Sequence, residues 1–552
     1  MKLTDLIKEL TAADIRLWLD QGQLKFSAPA GAMSAQRRAL IVANKVEIVD
    51  FLANAKTVEI TPAAKDQAPV LSYAQERLWS LEQLEGPSGL YNEGRALCIQ
   101  GPLNTQALKQ ALALIIERHQ VMRSAVITHE GQPQLHIQEH LPLPLQEADL
   151  THLPNDRKTR REQVLDLLSA ESQRPFDLSK APLVRFVLIK IDEQSHALGV
   201  FMHHLICDGL SVRVFFSELS EAYASLCQAK AIQWQPLPIQ YSDFAQWQRE
   251  HLDEVSVQRN LAYWRRHLKG MENMELGDLC AQEGQQDALP TTVSNKGQVH
   301  SFAVEGELMR RLDRLARDRG VSRYVLMSAA YHLLLSACAN RSDVCFTTPV
   351  TERHYSELQS LVGLFVNTLA IRQDGHESLA FNDFLSQTRA TINDAFSHQQ
   401  APFERVVESL AQDHGGRRPV SQMLSAARFV YLEAMPQRLD FHDLQVEPFV
   451  VNRRLAKFDL MLTIERDTVE DGSLANCRFE YKTDLFSAAF IEDLSEAYHH
   501  LLEEVSHKPY RSLGELRAMV AQGLQSKREE KRREHQDLRQ QGLRAIRRRA
   551  VG

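Results

Sequence analysis

Between residue 70 and about residue 510 the chain keeps changing its hydrophobic period, and this alternation restricts it to a mixed α/β architecture. Helical spacing is clear in LNTQALKQALALIIERH, where Leu108, Leu112 and Ile115 share one face, and in ELMRRLDRLARDRG and RYVLMSAAYHLLLSA. Strand-like runs lie between such segments: LVRFVLIKI (183–191), ALGVFMHH (197–204), GQVHSFAVEG and DVCFTTPV. The rhythm of the first half returns in the second without visible sequence identity, so the expected repeat is one of architecture, in two lobes. A length of 552 residues suits three or four folding units.

The two ends differ from this body. LTDLIKELTAADI has helical spacing at Leu3, Leu6, Ile7 and Leu10. IRLWLDQGQLKFSAP then alternates, turns near Asp20-Gln21-Gly22, and resumes at Leu24 and Phe26, a hairpin signature, and a second helix follows over SAQRRALIVANKVEIVDFLANA. About 55 residues make only a marginal core, so this unit gains from dimerising or docking. KTVEITPAAKDQAP (56–69) has the composition of a linker. From Lys527 onward there are ten Lys/Arg against four Asp/Glu, which leaves the rest at a net −13. That body has no basic bias of the kind nucleic acid requires, and no apolar run is long enough to span a bilayer. MKLTDLIKEL has charges through its apolar positions, unlike a secretion signal, and seven cysteines form an odd set with no C-x-x-C pair. The expectation is a soluble cytoplasmic protein without structural zinc or nucleic-acid or membrane partners.

Chemistry concentrates in FMHHLICDGLS. Successive strand residues point to opposite faces, so His203 and His204 cannot both line one cavity. One is then structural and the other open to a substrate. Gly209 lets the backbone turn before the helix LSVRVFFSELSEAY, and Asp208 sits near that helix start. On these residues alone, a satisfied core histidine pair beside an N-capping aspartate explains the pattern equally well.

The wider chain resembles the condensation domains of non-ribosomal peptide synthetases, over most of residues 70 to 510. MHHLICDGLS is similar to their active-site motif, LSYAQERLWSLEQL (71–84) to their opening motif and ERHQVMRSAV (117–126) to their second. PFDLSKAPLVR (175–185), YSDFAQWQ (241–248), LVGLFVNTLAIR (361–372) and SHQQAPFERVVE (397–408) follow in order. The last motif is poorly kept, HGGRRPVSQML (414–424) retaining Pro419 and little else. Residues 1–55 resemble docking domains of the tubulysin-synthetase type.

The resemblance implies an α/β fold of two chloramphenicol-acetyltransferase-like lobes in a V-shaped pseudo-dimer, plus a small α/β N-terminal docking domain. Its divisions are a docking domain over 1–55, a linker over 56–69, lobes over 70–248 and 249–510, and a charged helical tail or linker over 511–552. It implies amide-bond formation between a donor acyl or peptidyl thioester and the amine of an acceptor aminoacyl thioester. Both ride on phosphopantetheine arms supplied by carrier proteins, and the chain itself binds no cofactor and no metal. His204 is the tunnel-facing imidazole; His203, Asp208 and Gly209 complete the motif and hold its loop. Asp208 is expected to pair with an arginine, with Arg77 and Arg123 as candidates, and Trp247, Asn367 and Glu404 are expected to be structural. A thiol-nucleophile role for Cys207 is redundant where the substrate is already an activated thioester. Heterocyclisation domains lack this histidine pair, and Arg77-Leu78-Trp79 with Leu81 looks most like domains joining two L-configured residues.

Expected partners are an upstream donor carrier and its C-terminal docking tail, a downstream acceptor carrier or adenylation domain, and a second copy through the docking domain. Arg16 and Lys25 are candidates for contacting an acidic tail along the hairpin edge. Two other functions stay open: a coenzyme A-dependent acyltransferase of the same fold, and a catalytically idle platform that recruits a tailoring enzyme.

Overall fold

In the computed structural model, the described residues are 6, 15–20, 23–27, 34–45, 47–49, 60–64, 67–153, 157–252, 254–272, 274, 293–411, 420–433, 441–449, 451, 453–466 and 475–550. The expected hairpin is present: β1 (Arg16–Asp20) pairs antiparallel with β2 (Gln23–Ser27), followed by helix α1 (Ala35–Ala43). Arg16 stands opposite Ser27 in the ladder and Lys25 opposite Trp18. Apart from Leu6 and Ile15, the first expected helix lies outside the described residues, as does Pro419.

The earlier half runs α2 (Tyr73–Glu85), β3 (Asn92–Gln100), α3 (Thr105–Arg118), the hairpin β4 (Ser124–His129) and β5 (Gln132–Ile137), β6 (Leu145–Asp149), α4 (Arg157–Gln173), β7 (Val184–Lys190), β8 (Ser195–His203), α5 (Gly209–Cys227), α6 (Tyr241–His251) and α7 (Glu254–Leu268). The later half runs β9 (Gly297–Val304), α8 (Gly306–Asp318), α9 (Arg323–Ala339), β10 (Asp343–Thr351), β11 (Val366–Asp374), α10 (Phe381–Ser397), α11 (Phe403–Ala411), α12 (Val420–Leu424), β12 (Ala427–Glu433), β13 (Gln445–Phe449), β14 (Leu460–Arg466), β15 (Ala475–Lys482), α13 (Ala488–His507) and α14 (Leu513–Ala550). No described helix is long and apolar enough to cross a membrane.

Two sheets organise these elements, with strand orders β13-β3-β8-β7-β6 and β11-β10-β12-β14-β15-β9. In the first, strand alternation divides the apolar side chains between two faces. Leu97, Leu198, Val200 and Phe186 pack with Leu108, Leu112 and Phe215 of α3 and α5, while Phe201, Ala197 and Val187 pack with Val164 and Leu168 of α4. The second sheet is covered on one face by α8, α9 and α13, where Phe429, Leu462 and Phe479 enter the core. Arg428, Val430 and Met461, at the alternate positions, are only partly buried.

The halves are joined by more than a surface contact. β13, from the later half, pairs with β3 as an edge strand of the first sheet, Pro448 opposite Leu97. Proline lacks an N–H and is tolerated at such an edge. Leu358, Leu361, Val362, Leu364 and Phe365 fill the earlier half's core. Gly363 makes this possible, because a Cβ there would overlap the Tyr241 ring. The tail also starts as structure: Leu513, Leu516, Val520 and Leu524 of α14 are buried in the second core before its charged continuation.

Candidate active site

β8 delivers the histidines to the junction of the halves. His203, its last residue, is fully buried. Its Nδ1 accepts from Leu205 N at 3.1 Å, so the proton sits on Nε2, which donates to Glu82 Oε1 at 3.1 Å. This ring is a fastener. Glu82 comes from α2, whose buried face carries Gln75, Leu78 and Glu82. Ser72 and Gln75 form a capping box that fixes the start of that helix. Gln75 Nε2 then donates to Leu205 O at 3.0 Å, so the opening motif grips the histidine loop at two points.

His204 begins a single 3-10 turn and is half-buried. Its Nδ1–H donates to the Cys207 carbonyl at 2.6 Å, which leaves a lone pair on Nε2 with no partner among the described residues. Burial, followed by the nearby Lys457 ammonium, pushes the His204 pKa down to about 4. An unfolded imidazole titrates near 6.5. Between these values the unfolded chain binds a proton here that the folded chain does not, so this ring subtracts stability as pH falls through that window. The expected result in a histidine-selective NMR titration is a His204 ring, identified by its absence from the His204→Gln spectrum, that stays neutral down to about pH 5. A midpoint near 6.5 would contradict it.

Around His204 lies a charged group drawn from both halves. Glu93 of β3 is 2.9 Å from Lys457 Nζ and 3.9 Å from Arg453 NH1. Burial would raise the Glu93 pKa, but Lys457 and Arg453 outweigh it and hold the carboxyl well below its usual range. The Lys457 ammonium also lies 5.5 Å from the centre of the Tyr91 ring. None of these residues has a sequence signal of its own; only the placement of β3 against the 451–458 segment brings them together.

Asp208 is the N-cap of α5 and a four-way tie. Its Oδ1 accepts from Ser211 N at 2.6 Å and Ser211 Oγ at 2.7 Å, and its Oδ2 from Phe365 N at 3.0 Å. The arginine is neither Arg77 nor Arg123 but Arg353, with NH2 3.3 Å from Oδ1 and both side chains only 2% exposed. Arg353 also donates to Leu358 O, to Leu361 O at 2.9 Å and to Ser211 Oγ at 2.9 Å, and lies over the Phe365 ring. Arg123 is used elsewhere, donating to Ile116 O and Glu139 O. Arg77 reaches across to Glu404 at 3.6 Å and over Phe403.

Gly209 corrects another expectation. It starts α5 without a positive φ, and a Cβ there would meet nothing within 4 Å. Open space beside the helix start, rather than a special turn, is what its hydrogen leaves. Cys207 is buried and its thiol is pushed up well above its usual range by burial, which removes the thiolate a nucleophile would need. Asn367 holds the turn before α11, donating to Gln399 O and Ala401 O and accepting from Phe403 N. Trp247 stacks near Phe244 and His251 and meets Tyr355 edge-on.

Known proteins share the fold and much of the sequence. A family profile described as "Condensation domain" matches residues 65–525, and one described as "TubC N-terminal docking domain" matches residues 3–54. Bacitracin synthase 3 of Bacillus licheniformis is 32% identical over 476 residues, 85% of this chain and 7% of that protein. Phosphinothricin tripeptide synthetase PhsC of Streptomyces viridochromogenes is 33% identical over 456 residues, 80% of this chain and 40% of that protein. The chain thus spans a small part of the relatives it matches. Among solved structures, the X-domain in complex with OxyB from teicoplanin biosynthesis superposes with a TM-score of 0.71 at 22% identity, over 83% of this chain and 97% of that one. The first condensation domain of the calcium-dependent antibiotic synthetase gives 0.66 at 19%, over 82% and 99%. These likenesses bear out the expected two-lobed, chloramphenicol-acetyltransferase-like α/β fold, and the chain belongs to the condensation domains of non-ribosomal peptide synthetases, preceded by a docking domain of the TubC type.

Proposed function

We propose that this chain forms an amide bond between two carrier-bound thioesters, the amine of an acceptor aminoacyl group attacking the carbonyl of a donor acyl or peptidyl group. The observation that carries this reading is the bare Nε2 of His204, held toward the junction by the Nδ1–H···O bond to Cys207. A thioester needs no enzyme nucleophile; it needs an amine that is positioned and relieved of a proton. A neutral imidazole with a free Nε2 lone pair suits the first task, and its low pKa makes it a weaker proton acceptor than an ordinary imidazole for the second. His203, Asp208 and Gly209 shape the loop, while Arg77, Arg123, Trp247 and Asn367 hold surrounding elements rather than the loop itself.

In this reading the donor carrier arrives from an upstream synthetase whose C-terminal tail adds to the β1–β2 edge near Arg16 and Lys25. An acceptor carrier or adenylation domain follows downstream, both arms being phosphopantetheine, in the cytoplasm. Residues 1–55 act as the docking unit, through which a second copy also pairs, ahead of the linker over 56–69, lobes over 70–248 and 249–510, and the tail over 511–552.

The test is mass spectrometry of two loaded carrier proteins incubated with this chain. The expected result is transfer of the donor mass onto the acceptor carrier. Transfer from free coenzyme A thioesters without carriers would instead favour a coenzyme A-dependent acyltransferase. The likeness to an X-domain whose solved structure is a complex with OxyB favours one further reading, a recruiting platform without catalysis.

A further inference from the structure

Lys457 belongs to the later half but lies against the strand pair that delivers His204. Its ammonium is 2.9 Å from Glu93 Oε1 and 5.5 Å from the centre of the Tyr91 ring, with 19% of its side chain exposed. Tyr91 adjoins the imidazole, its carbonyl accepting from His204 N at 2.8 Å. Asn92, between Tyr91 and Glu93, turns the other way and donates to Ser172 O and Arg174 O at 2.9 Å. Arg453 binds the same stretch, its NH1 donating to Asn92 O at 2.6 Å and lying 3.9 Å from Glu93 Oε1. Two cations thus meet a single carboxylate beside the catalytic turn. Further along β3, Arg95 adds positive charge in range of Glu93, while Glu480 of the second sheet faces Arg453. The remaining groups around His204 are neutral or already matched. Asp208 is closed off by Arg353, and Glu82 accepts from His203. Burial keeps the Cys207 thiol and the Tyr91 hydroxyl protonated. The imidazole is influenced more by Lys457 than by Glu93, so the ammonium is the nearer of the two.

This excess of positive charge answers a difficulty set by His204. An α-amino group ordinarily titrates at about 7.7–8.0, so near neutral pH much of an acceptor enters as ammonium, without a lone pair to attack with. The His204 ring, with a pKa of about 4, is a poor acceptor for that proton. A fixed cation in an enclosed junction removes the need, because like charge disfavours the ammonium form before the amine reaches the carbonyl. We propose that Lys457 is a positioning residue for the reaction, admitting the acceptor amine beside His204 as the neutral nucleophile and leaving its proton in solvent. The amine lone pair then forms the C–N bond and the C–S bond breaks. The departing sulfur keeps the electrons of that bond and takes up the proton that nitrogen sheds, giving amide and thiol. Nε2 of His204 accepts from the amine N–H and orients it. This rests on the proposed reaction and specifies how its nucleophile is made.

The test has two arms. In the first, the single-turnover rate with both carriers loaded is followed across pH. Lys457→Met should raise the pH of half-maximal rate by about one unit, a loss of about tenfold on the acid side and of less than about threefold at pH 9. Lys457→Arg, which keeps the charge, should follow the unaltered chain, and Glu93→Gln should shift the profile the opposite way. A loss by the same factor at every pH is that of a merely structural ion pair and overturns the inference, as does an unmoved profile. If Lys457→Met fails to fold, the direction of the Glu93→Gln shift decides. In the second arm, the His204 ring is titrated by NMR in the full chain without carriers. Its midpoint should rise by at least about one unit in Lys457→Met and stay in place in Lys457→Arg. An unmoved midpoint in Lys457→Met overturns the inference even where condensation proceeds. A raised midpoint in a chain that condenses nothing supports the Lys457 field, and the proposed reaction then falls by itself.

Discussion

Replacing His204 with alanine is expected to slow amide formation by about a hundred- to ten-thousand-fold, the usual worth of a positioned general base. The melting temperature should hardly move. The ring is only half-buried, and its one hydrogen bond, to the Cys207 carbonyl, closes a single turn. The measurement is the single-turnover rate with both carriers loaded, set beside a thermal melt of the same preparation. His204→Gln refines the outcome, because it offers a hydrogen-bonding group without an imidazole's basicity. If Gln restores most of the rate, His204 orients the amine; if Gln is as slow as Ala, it takes the proton. Turnover unchanged by either substitution would remove the catalytic role and favour the recruiting platform.

Asp208→Ala should act on a different quantity. Removing that carboxylate leaves Phe365 N, Ser211 N and the Arg353 guanidinium facing one another in a region closed to water. Breaking a buried pair from one side costs about 3–5 kcal/mol, since the remaining charge has no partner. Arg353→Ala should cost a similar amount. Chemical denaturation of each single variant and of the Asp208→Ala/Arg353→Met double variant checks this. The double variant should lose clearly less than the sum of the two singles, because no stranded charge remains. Strict additivity would show that the pair is not energetically coupled. Both singles should also lose activity, since Asp208 caps the helix that follows the His204 turn and pins it to residues 361–365.

Much of the scaffold is legible in the sequence because its signals are local. Val184–Lys190 and Ser195–His203 match the runs expected over 183–191 and 197–204, and Thr105–Arg118 matches the Leu108, Leu112, Ile115 stripe. Strand alternation leads one to expect different roles for the two histidines, whereas in the structure β8 ends at His203 and His204 opens a 3-10 turn, so it is the chain's turn that separates the two rings. What stays hidden depends on distant pairings. Arg353 meets Asp208 across 145 positions and sits in a stretch without apolar periodicity, so nothing distinguishes it from a surface arginine. The stripe that α2 buries consists of Gln75, Leu78 and Glu82, two of them polar, so hydrophobic patterning undervalues it. QVEPF contains a proline and alternates weakly, yet it forms a strand because the edge of β3 is available to it. A glycine before a helix suggests a turn, whereas the contribution of Gly209 is an empty volume.

The strand at Gln445–Phe449 and the apolar plug at 358–365 have a consequence for the chain's synthesis. As it leaves the ribosome, the first sheet has an open edge at β3, and the cavity that Leu361 and Phe365 will occupy is exposed. The cavity stays open until the chain has grown past Phe365, and the edge until it has grown past Phe449. For that interval the nascent chain presents apolar surface and unpaired backbone groups, the features that chaperones bind and that drive aggregation. A gene cut between the halves should therefore give two insoluble pieces when each is expressed alone, and a joint product only when both are made together.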